Sequence, residues 1–159
     1  FIHMDVDSFF KSPLPFDFSD LFDFSQLIDA VDELFNFLNE DFAVSVCSVE
    51  DFSKIFFDNI YNILLLLHSE ELDYLFSEDF LINLNDLIFF IPELKNIKTN
   101  LNSLKDIVEF FTLFRKHYAG DFKMLIGDFD YLIKVLENLK ALLMDIDQSK
   151  KNLAKEFKQ

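Results

Sequence analysis

Apolar residues recur through most of the chain at the three- and four-residue spacing of amphipathic α-helices. A first helix is predicted to begin at Ser25, whose hydroxyl suits an N-cap. Its apolar positions are Leu27, Ile28, Val31, Leu34, Phe35 and Leu38. A second helix is predicted to follow Ser48 and to reach about His68. It is apolar almost all round from Ile60 onward, which indicates that it is buried.

Two shorter helices are predicted next. Ser69 and Ser77 each precede an acidic, helix-favouring segment, as N-cap residues do. We therefore expect helices over residues 70–76 and 78–91.

The last two predicted helices are long and carry heptad-like apolar seams. Pro92 suits the first turn of a helix, and Gly120 is placed to end it. The first seam is Leu94, Ile97, Leu101, Leu104, Val108 and Phe111. The second is Leu132, Leu136, Leu139, Leu143, Ile146, Lys150, Leu153 and Phe157. These helices of about 27 and 30 residues, joined by residues 120–128, are predicted to form an antiparallel hairpin.

The resulting expectation is an all-α fold, a bundle of about six helices in a single domain over residues 1–159. We divide it into an acidic aromatic arm (1–24), an acidic helical part (25–91) and the long helical hairpin (92–159). No apolar run reaches the roughly 18 residues of a membrane span. The amino terminus lacks the basic region of a signal peptide. We therefore expect a soluble cytoplasmic protein that does not bind membranes.

Composition excludes several classes of site. The 159 residues include 23 Phe but only 2 Gly and 1 Cys. One Cys rules out an intramolecular disulfide framework, and so few glycines rule out a P-loop, a GxGxxG fingerprint and a GxSxG elbow. Abundant Phe, Ile, Asn and Lys beside a single Arg are typical of an AT-rich genome. Because most of the apolar side chains are large, the core should be bulky, or apolar surface should be left over for a partner.

The net charge of −15 is unevenly distributed. Residues 1–94 carry 20 acidic side chains against two lysines, a net charge of −18. Residues 95–159 carry 9 acidic against 12 basic side chains, a net charge of +3. A field of this sign attracts a basic partner and speeds its encounter.

Residues 1–10 resemble the first palm strand of Y-family DNA polymerases, an apolar run leading into D-x-D-x-F-F. The resemblance implies that Asp5 and Asp7 bind metal. That family places a further Asp-Glu motif far downstream, whereas the nearest pair here, Asp32-Glu33, follows closely and lies in a helical pattern. A polymerase also needs basic surface for phosphate, which residues 1–94 lack. We therefore assign no polymerase activity.

No residue pattern indicates a catalytic, cofactor-binding or metal-binding site. The histidines are His3, His68 and His117, and none belongs to an HExxH or a Glu-x-x-His motif. Asp145 and Asp147 lie two residues apart, so on a helix they point to different faces and are expected on a solvated face. Asp128 is predicted to be an N-cap. We expect no cofactor.

Direct nucleic-acid binding is disfavoured because phosphate contacts need clustered Arg and Lys, and Arg115 is the one arginine. A local lysine cluster comprises Lys150, Lys151, Lys155 and Lys158. It is interpreted as cations near a helix carboxyl terminus.

The sequence therefore favours a non-enzymatic, acidic protein-interaction module, an adaptor or an inhibitor of the immunity type. It would dock a partner with a basic or apolar surface. The candidate partner-binding residues are Asp17, Phe18, Asp20, Phe22, Asp23, Asp29, Asp32 and Glu33. Two alternatives stay open: an acidic mimic of nucleic acid that inhibits a DNA- or RNA-binding protein, and a carrier of an apolar ligand with His68 or His117 facing it. The heptad helices also suggest a homodimer.

Overall fold

The computed structural model describes residues 23–39, 49–118 and 126–157. In these ranges the chain forms six α-helices and no strand, which confirms the all-α helical bundle. The helices are α1 (Ser25–Asn39), α2 (Val49–Leu67), α3 (Glu70–Leu75), α4 (Glu78–Ile88), α5 (Glu93–Tyr118) and α6 (Ile126–Phe157). Most of the acidic aromatic arm, the Ser48 cap and most of the predicted connection at 120–128 lie outside the described residues, so the hairpin stays a prediction.

The predicted serine caps of the two short helices are present. Ser69 Oγ accepts a hydrogen bond from the Leu72 N–H at 3.3 Å, and Ser77 Oγ accepts one from the Phe80 N–H at 3.2 Å. Each hydroxyl satisfies an amide at the helix start that has no partner within the helix. Ser77 Oγ also donates to the Tyr74 carbonyl at 2.6 Å, so one side chain joins the end of α3 to the start of α4.

Helix α5 begins one residue after Pro92, and helix α6 begins within the predicted connection of residues 120–128. Pro92 directly precedes α5 and its carbonyl accepts the Lys95 N–H at 3.0 Å. The prediction that Asp128 is an N-cap is wrong, because α6 already begins at Ile126 and Asp128 lies inside its first turn. Helix α6 continues past Lys150, and Leu153 is buried, so this lysine does not end the packed seam.

The chain divides into two compact units, each built from segments that are distant in sequence. The first contains Phe24, His68–Lys105 and the end of α6 from Leu142; the second contains Ser25–Leu67 and Asp106–Ala141. Pro92 lies inside the first unit, so the change in charge does not coincide with the boundary of a unit. The single domain and its three subregions stay predictions.

The first unit packs α3, α4, the start of α5 and the end of α6 around an aliphatic core. Its fully buried side chains include Leu75, Phe80, Leu84, Leu87, Leu94, Ile97, Leu104, Leu143 and Ile146. Phe80 meets the ring of Tyr74 edge-on at 5.4 Å, so it holds α3 against α4. The seam positions Leu94, Ile97, Leu101, Leu104, Leu143, Ile146 and Leu153 of this unit are buried, as the heptad pattern predicts, while Lys150 is half-buried.

The second unit is held by a chain of aromatic contacts. Phe37 of α1 stacks on Phe52 of α2 with ring centroids 5.1 Å apart, and Phe52 stacks on Phe56 at 6.1 Å. The Phe56 ring meets Phe114 of α5 edge-on at 6.2 Å. From Phe114 the contacts continue through Phe110 to Tyr131 of α6, with centroids 5.7 and 5.5 Å apart. All four helices of this unit are therefore joined by rings.

Replacing Phe114 by Ala should destabilise the protein strongly, because its ring is buried against both Phe56 and Phe110. We expect a loss of about 3–5 kcal/mol in the free energy of unfolding, the usual cost of removing a buried aromatic ring. Urea titration followed by circular dichroism measures it.

The matched control is Leu113→Ala, one residue earlier on the same helix and 59% exposed. It should change stability by no more than about 0.5 kcal/mol. Equal losses for the two variants would contradict the assigned core.

Candidate interaction surface

Three of the predicted partner-binding residues share one face of α1. Asp29 and Glu33 are exposed and one helical turn apart, while Asp32 lies beside them and is half-exposed. The buried face of α1 carries Leu27, Ala30, Val31 and Leu34, so the carboxylates point away from the core. Asp29 and Glu33 therefore form an acidic pair available to a partner.

Asp32 has a partner in its own unit. Lys140 Nζ of α6 lies 2.7 Å from Asp32 Oδ1, and both side chains are about two-fifths exposed, at 38% and 41%. An ion pair this exposed contributes at most about 1 kcal/mol. The contact nevertheless neutralises part of the acidic face, which the sequence pattern did not indicate because 108 residues separate the two positions.

The other predicted residues are mostly not described. Asp23 is exposed and lies just before α1. The positions that lie outside the described residues are Asp17, Phe18, Asp20 and Phe22. Partner binding by the acidic-aromatic residues 16–24 therefore stays a prediction. Asp5 and Asp7, which carry the polymerase resemblance, also lie outside the described residues.

The clearest surface feature was missed by the sequence reasoning and lies on α4. The buried face of this helix carries Phe80, Leu84 and Leu87. Its opposite face carries two exposed apolar side chains, Ile82 at 52% and Phe89 at 88%. Phe89 still has helical backbone angles as the C-cap residue, so these two positions, seven residues apart, lie on one face.

Acidic side chains surround this apolar pair. Glu78, Asp79 and Asp86 are exposed on the same helix, and Asp86 follows Ile82 by one turn. The signal in the sequence was a second apolar stripe at 82 and 89, offset from the core stripe at 80, 84, 87 and 91. This stripe is easily overlooked, because sequence reasoning that treats every large apolar side chain as buried assigns both stripes to the core.

The acidic field of this region acts on a neighbouring tyrosine. Burial raises the pKa of the Tyr74 hydroxyl, and the negative charge of Asp79 raises it further. Both effects disfavour the phenolate. The pKa of Tyr74 therefore reports the charge at the junction of α3 and α4.

Polar contacts between α5 and α6 lie within the first unit. Asn100 Nδ2 donates to Asp145 Oδ2 at 2.6 Å, and Asn96 Nδ2 donates to Ser149 Oγ at 2.8 Å. Asn152 Nδ2 donates to Glu93 Oε1 at 3.3 Å. Because rising positions on α5 meet falling positions on α6, these two segments run antiparallel.

Two of these polar side chains are almost fully buried, Asn100 at 8% and Ser149 at 1% exposure. A buried polar group in an apolar seam stabilises the register in which it finds its partner. Asp145 was expected on a solvated face; it is exposed, but its carboxylate accepts from both Asn96 and Asn100. We interpret these hydrogen-bonded side chains as residues that fix the register of α5 against α6 in the first unit, rather than as a catalytic site.

The lysine cluster near the end of α6 is partly neutralised within the helix. Asp147 Oδ1 lies 3.4 Å from Lys150 Nζ, and Asp147 Oδ2 lies 3.0 Å from Lys151 Nζ. Burial of the Asp147 carboxyl raises its pKa, but the hydrogen bonds and charges of the two lysines outweigh this and place the pKa below its ordinary value. The nearby cations therefore stabilise the carboxylate.

Arg115, His68 and His117 all lie at exposed positions. The Arg115 guanidinium lies 4.4 Å above the centre of the Tyr61 ring, a cation–π contact between α5 and α2. The carrier alternative, with His68 or His117 facing the ligand, stays a prediction. In the described ranges, no three His, Cys, Asp or Glu residues come close enough together to hold a metal ion.

No helix in the described ranges combines the length and the apolar character that crossing a membrane requires. Neither the family models, nor the curated proteins, nor the solved structures contain a match to this chain.

Tyr74 should show its raised pKa in an alkaline absorbance titration. The folded state holds the phenolic proton more tightly than the unfolded chain, in which the tyrosine pKa has its ordinary value of 10.0. The resulting stabilisation is complete below that pH and is lost as the pH rises through the raised pKa. Tyr74→Phe should remove this alkaline component, and Asp79→Asn should lower the pKa of Tyr74. An unchanged titration in Asp79→Asn would contradict the assigned field.

Asn100→Asp should destabilise the first unit, because it places a second carboxylate against Asp145 in place of a hydrogen-bond donor. We expect a loss of at least about 2 kcal/mol in the free energy of unfolding at neutral pH. Asn102→Asp, an exposed position on the same helix, makes the same change in charge and should cost no more than about 0.5 kcal/mol. Chemical denaturation of both variants measures the difference, and similar losses would rule out the register role.

Proposed function

We propose that this chain is a non-enzymatic protein-interaction module, an adaptor or inhibitor whose acidic surface docks a basic partner. The supporting observation is the charge of the first four helices. Each of α1, α2, α3 and α4 carries three carboxylates, and Lys54 is the one basic side chain within these described helices. The buried side chains of these helices are apolar, and none of the carboxylates whose exposure the structure describes is buried.

Charge of this kind acts mainly on the rate of encounter and on the choice of partner. A surface of one sign attracts an oppositely charged protein and raises the association rate, and salt screens the effect. Affinity comes chiefly from a few buried apolar contacts at the centre of an interface. An acidic module therefore needs both a field and an apolar anchor.

The second candidate is an acidic mimic of nucleic acid. It is favoured by Asp29 and Glu33, which repeat a carboxylate on successive turns of α1. The outer face of α4 favours the first proposal instead, because Ile82 and Phe89 interleave its carboxylates. The phosphate backbone of nucleic acid has no exposed apolar groups in its rows of charge, so a mimic of it has no use for apolar side chains between its carboxylates.

The test is association of the protein with its partner, recovered by affinity capture from the native source. The association rate should fall steeply as salt rises, and the double variant Asp29→Lys/Glu33→Lys should reduce the low-salt rate by about tenfold. The control Asp130→Lys/Glu137→Lys reverses two exposed charges on α6 in the same unit. It should have a much smaller effect, because it lies outside the acidic helices.

Association that is insensitive to salt and to both double variants would refute an electrostatic module. Competition by duplex DNA for the same partner surface would instead select the mimic. Partner identity then follows from the captured protein itself.

A further inference from the structure

Helix α4 is apolar on two faces, although only one of them is buried. Phe80, Leu84 and Leu87 fill the core of the first unit. Ile82 and Phe89 lie on the other side, and Phe89, at 88% exposure, is the most exposed large apolar side chain in the described ranges. One exposed aromatic needs no explanation, but two large apolar side chains aligned along one helix face do.

The end of α4 enlarges this apolar surface. Phe90 is 48% exposed and its ring meets Phe89 edge-on, with centroids 5.5 Å apart. Ile82 and Phe89 are about 10 Å apart along the axis, at about 1.5 Å per residue. That is the spacing of two anchors seven residues apart on a partner helix.

The charges around the apolar pair decide which partner fits. Residues 68–91 contain six carboxylates and no Lys or Arg. Three of them, Glu78, Asp79 and Asp86, are exposed on α4 itself. Lys98 of α5 donates to Asn85 of α4 at the edge of the face. By helical periodicity the face is therefore apolar along its middle, with Asp79 and Asp86 along one margin and Glu78 at its N-terminal end.

We propose that the outer face of α4 docks a cationic amphipathic helix of a partner protein. Apolar side chains of that helix would pack on Ile82 and Phe89, while its Lys and Arg side chains would pair with Glu78, Asp79 and Asp86. This assignment rests on the proposed function and adds the position of its apolar anchor. It differs from the carboxylates of α1, which steer a partner without offering an apolar contact.

Charge complementarity also disfavours a symmetric α4–α4 contact, nucleic acid and anionic lipid. A second copy of this chain docking α4 against α4 would place like charges opposite each other, which costs several kcal/mol in general. Nucleic acid and anionic lipid would meet the same repulsion. A cationic helix is the occupant for which both the apolar residues and the carboxylates find partners.

The test uses synthetic helical peptides as probes. The first has leucines along one face and lysines elsewhere; the second keeps the lysines and replaces leucine by glutamine; the third keeps the leucines and replaces lysine by glutamine. Binding to the full chain is measured by fluorescence anisotropy. The leucine-lysine peptide should bind, and either replacement should weaken binding by at least about tenfold.

The protein variants locate the site. Ile82→Ala/Phe89→Ala should weaken binding of the leucine-lysine peptide by at least about tenfold. Leu113→Ala, at an apolar position of the other unit that is 59% exposed, should leave binding unchanged. Because both replaced side chains of the double variant are exposed, its fold should be retained, which circular dichroism verifies.

The outcomes separate this proposal from the proposed function. Salt-dependent binding that the double variant leaves unchanged would overturn the α4 site while supporting an acidic docking module. Equal binding of the leucine-glutamine peptide, or no binding of any lysine peptide, would overturn both. Concentration-dependent dimerisation that the double variant abolishes, seen by light scattering, would overturn the cationic partner in favour of a second copy.

Discussion

Burial of the apolar seams of α5 and α6 is the constraint on which the rest of this structure depends. From Leu94 to Phe111, and from Leu132 to Ile146, every seam position is at most 9% exposed. Each helix contributes one half to the first unit and the other half to the second. A helix that must bury one stripe over its whole length leaves the opposite stripe to solvent. The shorter helices complete the cores, and their outer faces carry the charge.

The two units solve the packing problem with different side chains. The first combines aliphatic residues with two buried polar side chains, Asn100 and Ser149. Asn100 donates to Asp145 and Ser149 accepts from Asn96, and these hydrogen bonds form in one register of the antiparallel segments. The second uses aromatic rings linked from Phe37 to Tyr131. Aromatic packing supplies apolar area, whereas polar pairing supplies specificity at a cost in desolvation. Phenylalanine is thus structural in both units, through Phe80 in the first and the linked rings in the second, while Phe89 of α4 lies on a surface that we assign to a partner.

Most of the fold was predictable because helical periodicity and capping are local properties. Ser69 and Ser77 cap the helices that they were expected to cap, and the heptad seams are buried from Leu94 to Phe111 and from Leu132 to Ile146. The candidate site was much less predictable. Asp29 and Glu33 were found from charge alone, but the pairing of Asp32 with Lys140 and the exposure of Phe89 depend on packing between distant segments. Asp128 was misassigned because α6 begins two residues earlier, with Gly127 tolerated in its first turn.

Helix positions, the all-α class and the acidity of the first 94 residues follow from the sequence alone, since each depends on neighbours within a few positions or on a count of charges. Which side of an apolar helix is buried does not follow in this way. Helix α4 offers two apolar stripes, and contact with α3 and the rest of the first unit selects the one containing Phe80 and Leu84. Tertiary packing therefore left Ile82 and Phe89 outside, because a helix of this width can bury only one face against a single core.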